Sequence, residues 1–192
     1  MKTIIEDENV SPASMPHFAE GKPLFFRFKK DQAFTFTDDL KVTHSGRLNW
    51  NTVLGDQSIN LTYPGKYFFE VKINIITESW GMGIGVADKA FDNSGTTILG
   101  YRDLGKGKSW SWFTYKSANN EGFLHDGVVS GEKPIAYTNG DVVKVVIDAS
   151  NKSIEFFKNN ESLGIPWENI ASDEVIPAIT FCNQNDSITL IQ

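Results

Sequence analysis

The sequence predicts an all-β domain, a sandwich or barrel of antiparallel strands with little helix. Stretches in which apolar and polar residues alternate recur roughly every 10 to 15 residues, a spacing typical of short strands joined by turns. Clusters of Gly, Asn, Asp and Pro separate these stretches, and such residues favour turns. No long segment shows the helical period of an amphipathic helix. This combination is characteristic of sandwich and barrel architectures.

The chain begins with a segment that is not predicted to join the sheets. Residues 1–23 combine acidic side chains with Pro12, Pro16 and Pro23, which predicts an irregular leader or an extended arm. A single domain is expected over residues 24–192. Its first strands are predicted by the sequences LFFRFKK, AFTFTDD and LKVTHSG, which begin at residues 24, 33 and 40.

Residues 65–87 give the clearest pair of strands. The first strand alternates between a mostly polar face and an apolar face that is expected to be buried, formed by Tyr67, Phe69, Val71, Ile73 and Ile75. The second strand carries Gly81, Gly83 and Gly85. A dinucleotide-binding glycine motif lies between a strand and a helix, whereas these glycines lie inside a strand pattern. They therefore predict close packing beneath bulky neighbours, or a bulge.

The second half of the chain continues the strand pattern. Further strands are predicted at residues 109–113, 122–125, 142–147, 154–158, 175–182 and 187–191. The strand at 142–147 is nearly all apolar, which predicts burial on both faces. Asn139-Gly140-Asp141 is a strong turn signal, and residues 166–170 are expected to form a helical turn.

Composition excludes several classes of function. The chain of 192 residues has a net charge of −6 and no long basic run, which argues against nucleic-acid binding. Cys182 is the single cysteine, so no internal disulfide can form, and a reducing, cytoplasmic location is expected. Its strand-like surroundings predict a buried, inert thiol. Glu6, Asp7 and Glu8 interrupt the apolar start that a signal peptide would need.

No arrangement of side chains in the sequence predicts catalysis. His17, His44 and His125 lack metal-ligand spacing, and the sequence near Asp88 and Asp92 does not fit a calcium-binding loop. Neither a nucleophile elbow, nor a zinc-protease HExxH sequence, nor a phosphate-binding loop is present. We therefore expect no enzyme activity, no metal and no cofactor.

Five segments in order resemble the SPRY domain, a family of protein-interaction modules. They are GKYFFEVKI, WGMGIGVA, the Leu-Gly-Tyr sequence at 99–101, GDVVKVVIDASNKSIEFFKNNESLG, and VIPAITFCNQNDSITL. The resemblance spans about residues 24–191. Lys144 replaces a glycine that is usual in the family, and Asn160 stands where glycine often follows asparagine. Asparagine tolerates the same left-handed turn conformation, so neither change affects the expected fold.

The resemblance implies a bent sandwich of two antiparallel sheets that recognises a protein partner through edge loops, without catalysis. In SPRY proteins that carry a SOCS box, three loops form a shallow pocket for a short polar peptide. Carried onto this chain, the partner-binding residues are Arg47, Leu48, Asn49, Trp80, Tyr101, Arg102, Asn183 and Gln184. No proline follows Arg47, and Asn183 stands where tryptophan is usual, so the same peptide specificity is not implied. Tyr101 could instead pack beneath a loop, and a core position is favoured for Trp80, Trp110 and Trp112.

Other functions remain open at this point. Aromatic and Asn-rich loops would also suit a lectin-like carbohydrate-binding sandwich, while a sandwich glycosidase or lyase would need two facing carboxylates. The resemblance favours a cytoplasmic, eukaryotic adaptor that is monomeric and binds neither nucleic acid nor membrane. It further implies that residues 1–23 pack along the sandwich.

Overall fold

The computed structural model describes residues 21–46, 49–77, 81–101, 107–114, 122–131 and 136–192. Within these ranges the chain forms strands, turns and irregular connections, with no helical residue. The strands are β1 (Lys22–Pro23), β2 (Phe34–Thr37), β3 (Lys41–His44), β4 (Asn51–Leu54), β5 (Ile59–Asn60), β6 (Lys66–Ile75), β7 (Met82–Asp88), β8 (Ser109–Thr114), β9 (Gly122–His125), β10 (Val128–Ser130), β11 (Val142–Asp148), β12 (Ser153–Lys158), β13 (Glu161–Ser162), β14 (Glu174–Phe181) and β15 (Ser187–Ile191). The all-β prediction is confirmed.

The strands form two sheets that face each other. One sheet has the order β13-β12-β11-β6-β15-β3-β2, and β1 pairs with β6 in parallel. The other has the order β10-β9-β8-β7-β14-β4, and β5 pairs with β14. Apart from β1, all the pairings are antiparallel. The strand order repeatedly places neighbours that are distant in sequence side by side, so both sheets depend on long-range pairing.

A continuous hydrophobic core lies between the sheets. It contains the inward faces of β6 and β11 from one sheet and of β7 and β14 from the other. At its centre Trp112 is fully buried and meets Tyr137 edge to face, with ring centroids 4.8 Å apart. Trp110 is also buried, so the predicted core positions of these two tryptophans are confirmed.

Two predicted burial patterns need correction. Ile75 is exposed, not buried, because the pairing of β15 with β6 skips Asn74 and thereby reverses the alternation at the end of the strand. The strand β11 is not buried on both faces either. Lys144 points outward, forms an ion pair with Glu70 at 2.8 Å and lies over the Phe68 ring at 5.0 Å. The outer face of β11 thus carries a half-buried charge pair.

Two predicted elements are absent. Residues 24–30 contain no strand, since the chain there crosses from one sheet to the other, with Leu24 N donating to Phe68 O and Lys29 N to Leu54 O. The first paired residues are instead Lys22 and Pro23, inside the predicted leader. Residues 166–170 form no helical turn, and Trp167 bridges to Ile154 of β12.

The packing role predicted for the glycines of β7 is confirmed. A Cβ atom on Gly83 would lie 2.8 Å from the Phe113 ring. One on Gly85 would overlap the carbonyl oxygen of Trp110 and lie 2.7 Å from Cα of Ser111. These glycines let β8 approach β7 closely.

Candidate functional site

The register of β14 against β7 defines two ends of the sandwich. Val175 pairs with Asp88 at one end and Phe181 pairs with Met82 at the other. Six residue steps separate them, or about 20 Å along an extended strand. We call the end at Phe181 the loop end; its described residues are 44–46, 49–51, 75–77 and 181–187. The end at Val175 is called the opposite end.

A buried carboxylate organises the loop end. Asp186 is fully buried, and its Oδ1 accepts hydrogen bonds from N and Oγ1 of Thr77, each at 2.7 Å. Its Oδ2 accepts a hydrogen bond from Nδ2 of Asn183 at 3.1 Å. Hydrogen bonds of this number and geometry compensate a carboxylate for its loss of water.

A buried histidine extends this network to the β3–β4 connection. The backbone N of His44 donates to Asp186 O at 2.9 Å, and Asn185 N donates back to His44 O at 2.8 Å. The imidazole Nδ1 donates to Asn183 O at 2.9 Å, and Nε2 faces the carboxamide of Asn51 at 2.9 Å. We call His44, Thr77, Asn183 and Asp186 the Asp186 cluster. It joins the connections between β3 and β4, β6 and β7, and β14 and β15.

Two of the predicted partner-binding residues lie exposed at the loop end. Asn49 N donates to Cys182 O at 3.4 Å, and its Oδ1 accepts a hydrogen bond from Thr96 Oγ1 at 2.8 Å. Gln184 Nε2 lies 3.4 Å from Ser45 O. Hydrogen bonds therefore join the two connections, while Asn49 and Gln184 stay exposed.

The remaining predicted residues divide into two groups. Asn183 is buried, and its carboxamide is directed at Asp186 inside the turn, so its side-chain nitrogen is engaged within the protein. Arg47, Leu48, Trp80 and Arg102 lie outside the described residues. For these four positions partner binding stays a prediction.

Tyr101 does not lie beside Asn183 and Gln184. Residues 97–100, which precede it, cross the outer face of the sheet that contains β14. Their backbone forms hydrogen bonds with the side chains of Thr52 of β4, Thr180 of β14, and Ser111 and Ser109 of β8. It thereby reaches the opposite end. There Tyr101, 47% exposed, lines a hollow of about 80 Å³ with Lys108, Ser109, His125 and Asp126. The resemblance implies that Tyr101 shares one pocket with Asn183 and Gln184. In the structure these residues lie at opposite ends of the sandwich.

A groove of about 870 Å³ also lies at the opposite end. It runs between the β11–β12 turn and the chain before β6. Its walls are mainly polar, and Lys66 and Asp148, which line it, form an ion pair at 3.4 Å. Among the described residues, no group of three or more His, Cys, Asp or Glu side chains could hold a metal ion. No helix in the described ranges could span a membrane.

Two weak acids in the interior near the loop end resist ionisation. Burial raises the pKa of the Cys182 thiol to about 11, and the negative charge of Asp186 contributes to the same shift. Burial also raises the pKa of Tyr137 far above its ordinary value. Its hydroxyl donates to Met82 O, so it ties the start of β7 to the core. The predicted burial of Cys182 is confirmed, and the inertness of its thiol stays a prediction.

We expect the folded state to lose stability in alkali partly through Cys182. Between pH 9 and about 11 the unfolded thiol loses its proton while the folded thiol keeps it, so the stability falls as pH rises through this window. Urea unfolding of Cys182→Ala should show a shallower alkaline decline than wild type. Equal slopes for the two proteins would contradict the assignment.

Sequence reasoning missed the residues that organise the loop end. In the sequence His44 is one of three scattered histidines, and Asp186 carries no catalytic or metal-binding pattern. The signal was the polar run from Asn183 to Asp186 between two apolar strands. Asn and Asp in such a run commonly bond neighbouring backbone, which predicts a turn but not its contact with Thr77.

Comparison with known proteins agrees with this architecture. The family model described as "SPRY domain" matches residues 66–192. The chain belongs to the SPRY domain family. SPRY domains are generally protein-interaction modules and are not typically enzymes.

The relatives share a limited part of their length with this SPRY domain chain. F-box/SPRY domain-containing protein 1 of Drosophila willistoni is 24% identical over 116 residues, which cover 57% of this chain and 42% of the relative. The Drosophila mojavensis protein of the same name is 23% identical over 57% of this chain and 43% of its own length. The chain thus spans less than half the length of the curated relatives it matches.

Solved structures support the fold. The SPRY domain of human HERC1 superposes with a TM-score of 0.61 at 16% identity, covering 84% of this chain and 93% of that domain. The TRIM65 PSpry domain gives a TM-score of 0.63 at 12% identity, covering 89% and 94% respectively. At these identities the likeness shows the sandwich fold alone.

Proposed function

We propose that this domain is a non-enzymatic protein-interaction module that binds a short peptide or a surface loop of a partner through the loop end. The observation that carries the proposal is the Asp186 cluster, which holds three connections distant in sequence while Asn49 and Gln184 stay exposed above it. Loops fixed before binding lose little conformational freedom when the partner arrives. This end therefore has the property that a recognition surface needs.

The chemistry of the exposed groups indicates a polar ligand. Asn and Gln carboxamides each donate and accept hydrogen bonds, so they can pair with the main chain or the amide side chains of an extended segment. Arg47, if it faces the same surface as the family resemblance implies, would add a directional donor. A short polar peptide satisfies these groups better than an apolar helix would.

We further infer a cytoplasmic adaptor that acts as a monomer and is found in eukaryotes. The reduced, buried Cys182 fits a reducing compartment. The relatives named F-box/SPRY domain-containing proteins carry the domain beside another module, as adaptors do. Sedimentation of the purified domain would contradict the monomer if it showed a stable dimer at micromolar concentration.

The binding surface can be tested with a phage-displayed library of random short peptides. A selected peptide should bind the domain, and Gln184→Ala and Asn49→Ala should each weaken it roughly fivefold or more, as expected for central interface residues. Glu168→Ala alters an exposed residue of the opposite-end groove and should leave the affinity unchanged. Titration calorimetry with each folded variant gives the dissociation constants.

Several results would contradict this proposal. A library that yields no binder would remove the short-peptide mode, and a saturable signal on a glycan array would favour the lectin-like alternative. Loss of affinity in Tyr101→Ala or Glu168→Ala, with Gln184→Ala unaffected, would move the binding surface to the opposite end. Arg47→Glu should weaken binding, and unchanged affinity would remove Arg47 from the site.

A further inference from the structure

We propose that Asp186 is the positioning residue of the loop end, and that its carboxylate makes the recognition surface preformed. This inference rests on the proposed function and adds to it the group that holds the surface in shape. Asp186 lies in the last turn, bonds to a connection distant in sequence, and has a buried carboxylate.

Two hydrogen bonds link Asp186 to Thr77 in the β6–β7 connection. Thr77 is exposed and lies 109 positions from Asp186 in sequence, yet its backbone N and its hydroxyl both donate to the same carboxylate oxygen at 2.7 Å. The turn from Asn183 to Asp186 could form without them, since turns need only local bonds. The hydrogen bonds from Thr77 to Asp186 thus hold the β6–β7 connection against the last turn.

The buried carboxylate of Asp186 needs hydrogen-bond partners. Asp186 is fully buried, and an unpaired carboxylate in such a place would strongly destabilise the fold. Asn183 and Thr77 together supply three hydrogen bonds to it, and His44 N donates to its backbone oxygen. An apolar side chain at position 186 would need no hydrogen bonds, but it would also not bond to Thr77 or Asn183. The carboxylate therefore positions residues that themselves need not touch it, such as the exposed Gln184.

A reciprocal exchange of two side chains tests the proposal. Asn183→Asp places a second carboxylate where an amide now donates to Asp186 at 3.1 Å, so it replaces attraction with repulsion. The double variant Asn183→Asp with Asp186→Asn restores an amide opposite a carboxylate and keeps an oxygen for Thr77. Matched geometry exists at the opposite end, where Asn151 Nδ2 donates to the buried Asp148 at 3.0 Å, also three residues apart. Asn151→Asp is the control.

The first readout needs no partner. In Asn183→Asp, amide hydrogen exchange at Thr77 should accelerate roughly tenfold to a hundredfold, the effect of losing a hydrogen bond to a charged group. The exchange should return to within a few fold of wild type in the double variant, and Asn151→Asp should leave it unchanged. Unaltered exchange at Thr77 in Asn183→Asp would overturn the proposal. If Asn183→Asp does not fold, Thr77→Val removes the hydrogen bond from the Thr77 hydroxyl to Asp186 without adding a charge. An unchanged amide exchange rate at residue 77 in that variant would also overturn the proposal.

The second readout is the affinity for the library-selected peptide. The single variant should bind it at least roughly tenfold more weakly, with restoration in the double variant and no change in Asn151→Asp. Faster exchange at Thr77 with unchanged affinity would overturn the role of Asp186 in recognition and would place peptide binding elsewhere. A third outcome separates the two proposals. If exchange at Thr77 is unchanged in Asn183→Asp while Gln184→Ala loses affinity for the peptide, the proposed function stands and Asp186 is not its positioning residue.

Discussion

Gly85→Ala should destabilise the domain by about 3 kcal/mol or more, at the upper end of the range for overpacked interiors. The added Cβ would overlap the carbonyl oxygen of Trp110, and it would lie 2.7 Å from Cα of Ser111. Both neighbours are backbone atoms of β8, which cannot turn aside as a flexible side chain could. The two strands must separate, and the ladder between β7 and β8 must stretch. Urea denaturation followed by tryptophan fluorescence measures the change.

Gly140→Ala provides the control for this substitution. Gly140 has a φ of +92°, so alanine there is strained, but no atom lies within 4 Å of the added Cβ. A cost of about 1 kcal/mol is expected from the backbone conformation alone. If the two variants lost equal stability, the close approach of β7 and β8 would not be the reason for the glycine at position 85.

Trp112→Ala should cost about 3 to 5 kcal/mol, the usual range for removing a large aromatic side chain from a core. The indole is fully buried and packs edge to face on Tyr137 and on Phe156, with centroids 4.8 and 6.4 Å away. Its removal leaves a cavity between the two sheets that their long-range pairing prevents from closing. Thermal and denaturant unfolding should both record the loss.

Trp50→Ala is the comparison for the core substitution. Trp50 is only partly buried and meets Phe113 with the ring centroids 5.4 Å apart. We expect a loss of about 1 kcal/mol, typical of substitutions outside the core. A Trp50→Ala loss as large as that of Trp112→Ala would show that the centre of the core does not lie between the sheets at Trp112.

The strands that the sequence predicts best are those with one buried face. In β6, the alternation of Phe69, Val71 and Ile73 with polar neighbours reports the two faces directly, because side chains on a strand alternate. The same pattern misled at residues 24–30, where Phe26 and Phe28 are buried although the backbone pairs with no single strand. Periodicity reports which side chains are buried, while pairing depends on a partner strand that the local sequence does not name.

The candidate site shows the same division. The family resemblance implies that Asn49, Gln184 and Tyr101 line one pocket. The distance between these positions depends on which end of a strand each connection reaches. The route of residues 97–100 across β4, β14 and β8 sends Tyr101 to the opposite end, and only long-range hydrogen bonds specify that route.

By itself the sequence determined the all-β class, the SPRY resemblance, the glycines of β7 as packing residues and the buried thiol of Cys182. Each of these follows from side-chain period, turn chemistry or a motif, all of which act over a few neighbouring residues. Tertiary structure alone decided the separation of Tyr101 from Gln184 and the union of His44, Thr77 and Asn183 around Asp186. Those arrangements join residues as distant in sequence as His44 and Asn183, which are 139 positions apart, so they exist only when two sheets have paired in a particular register.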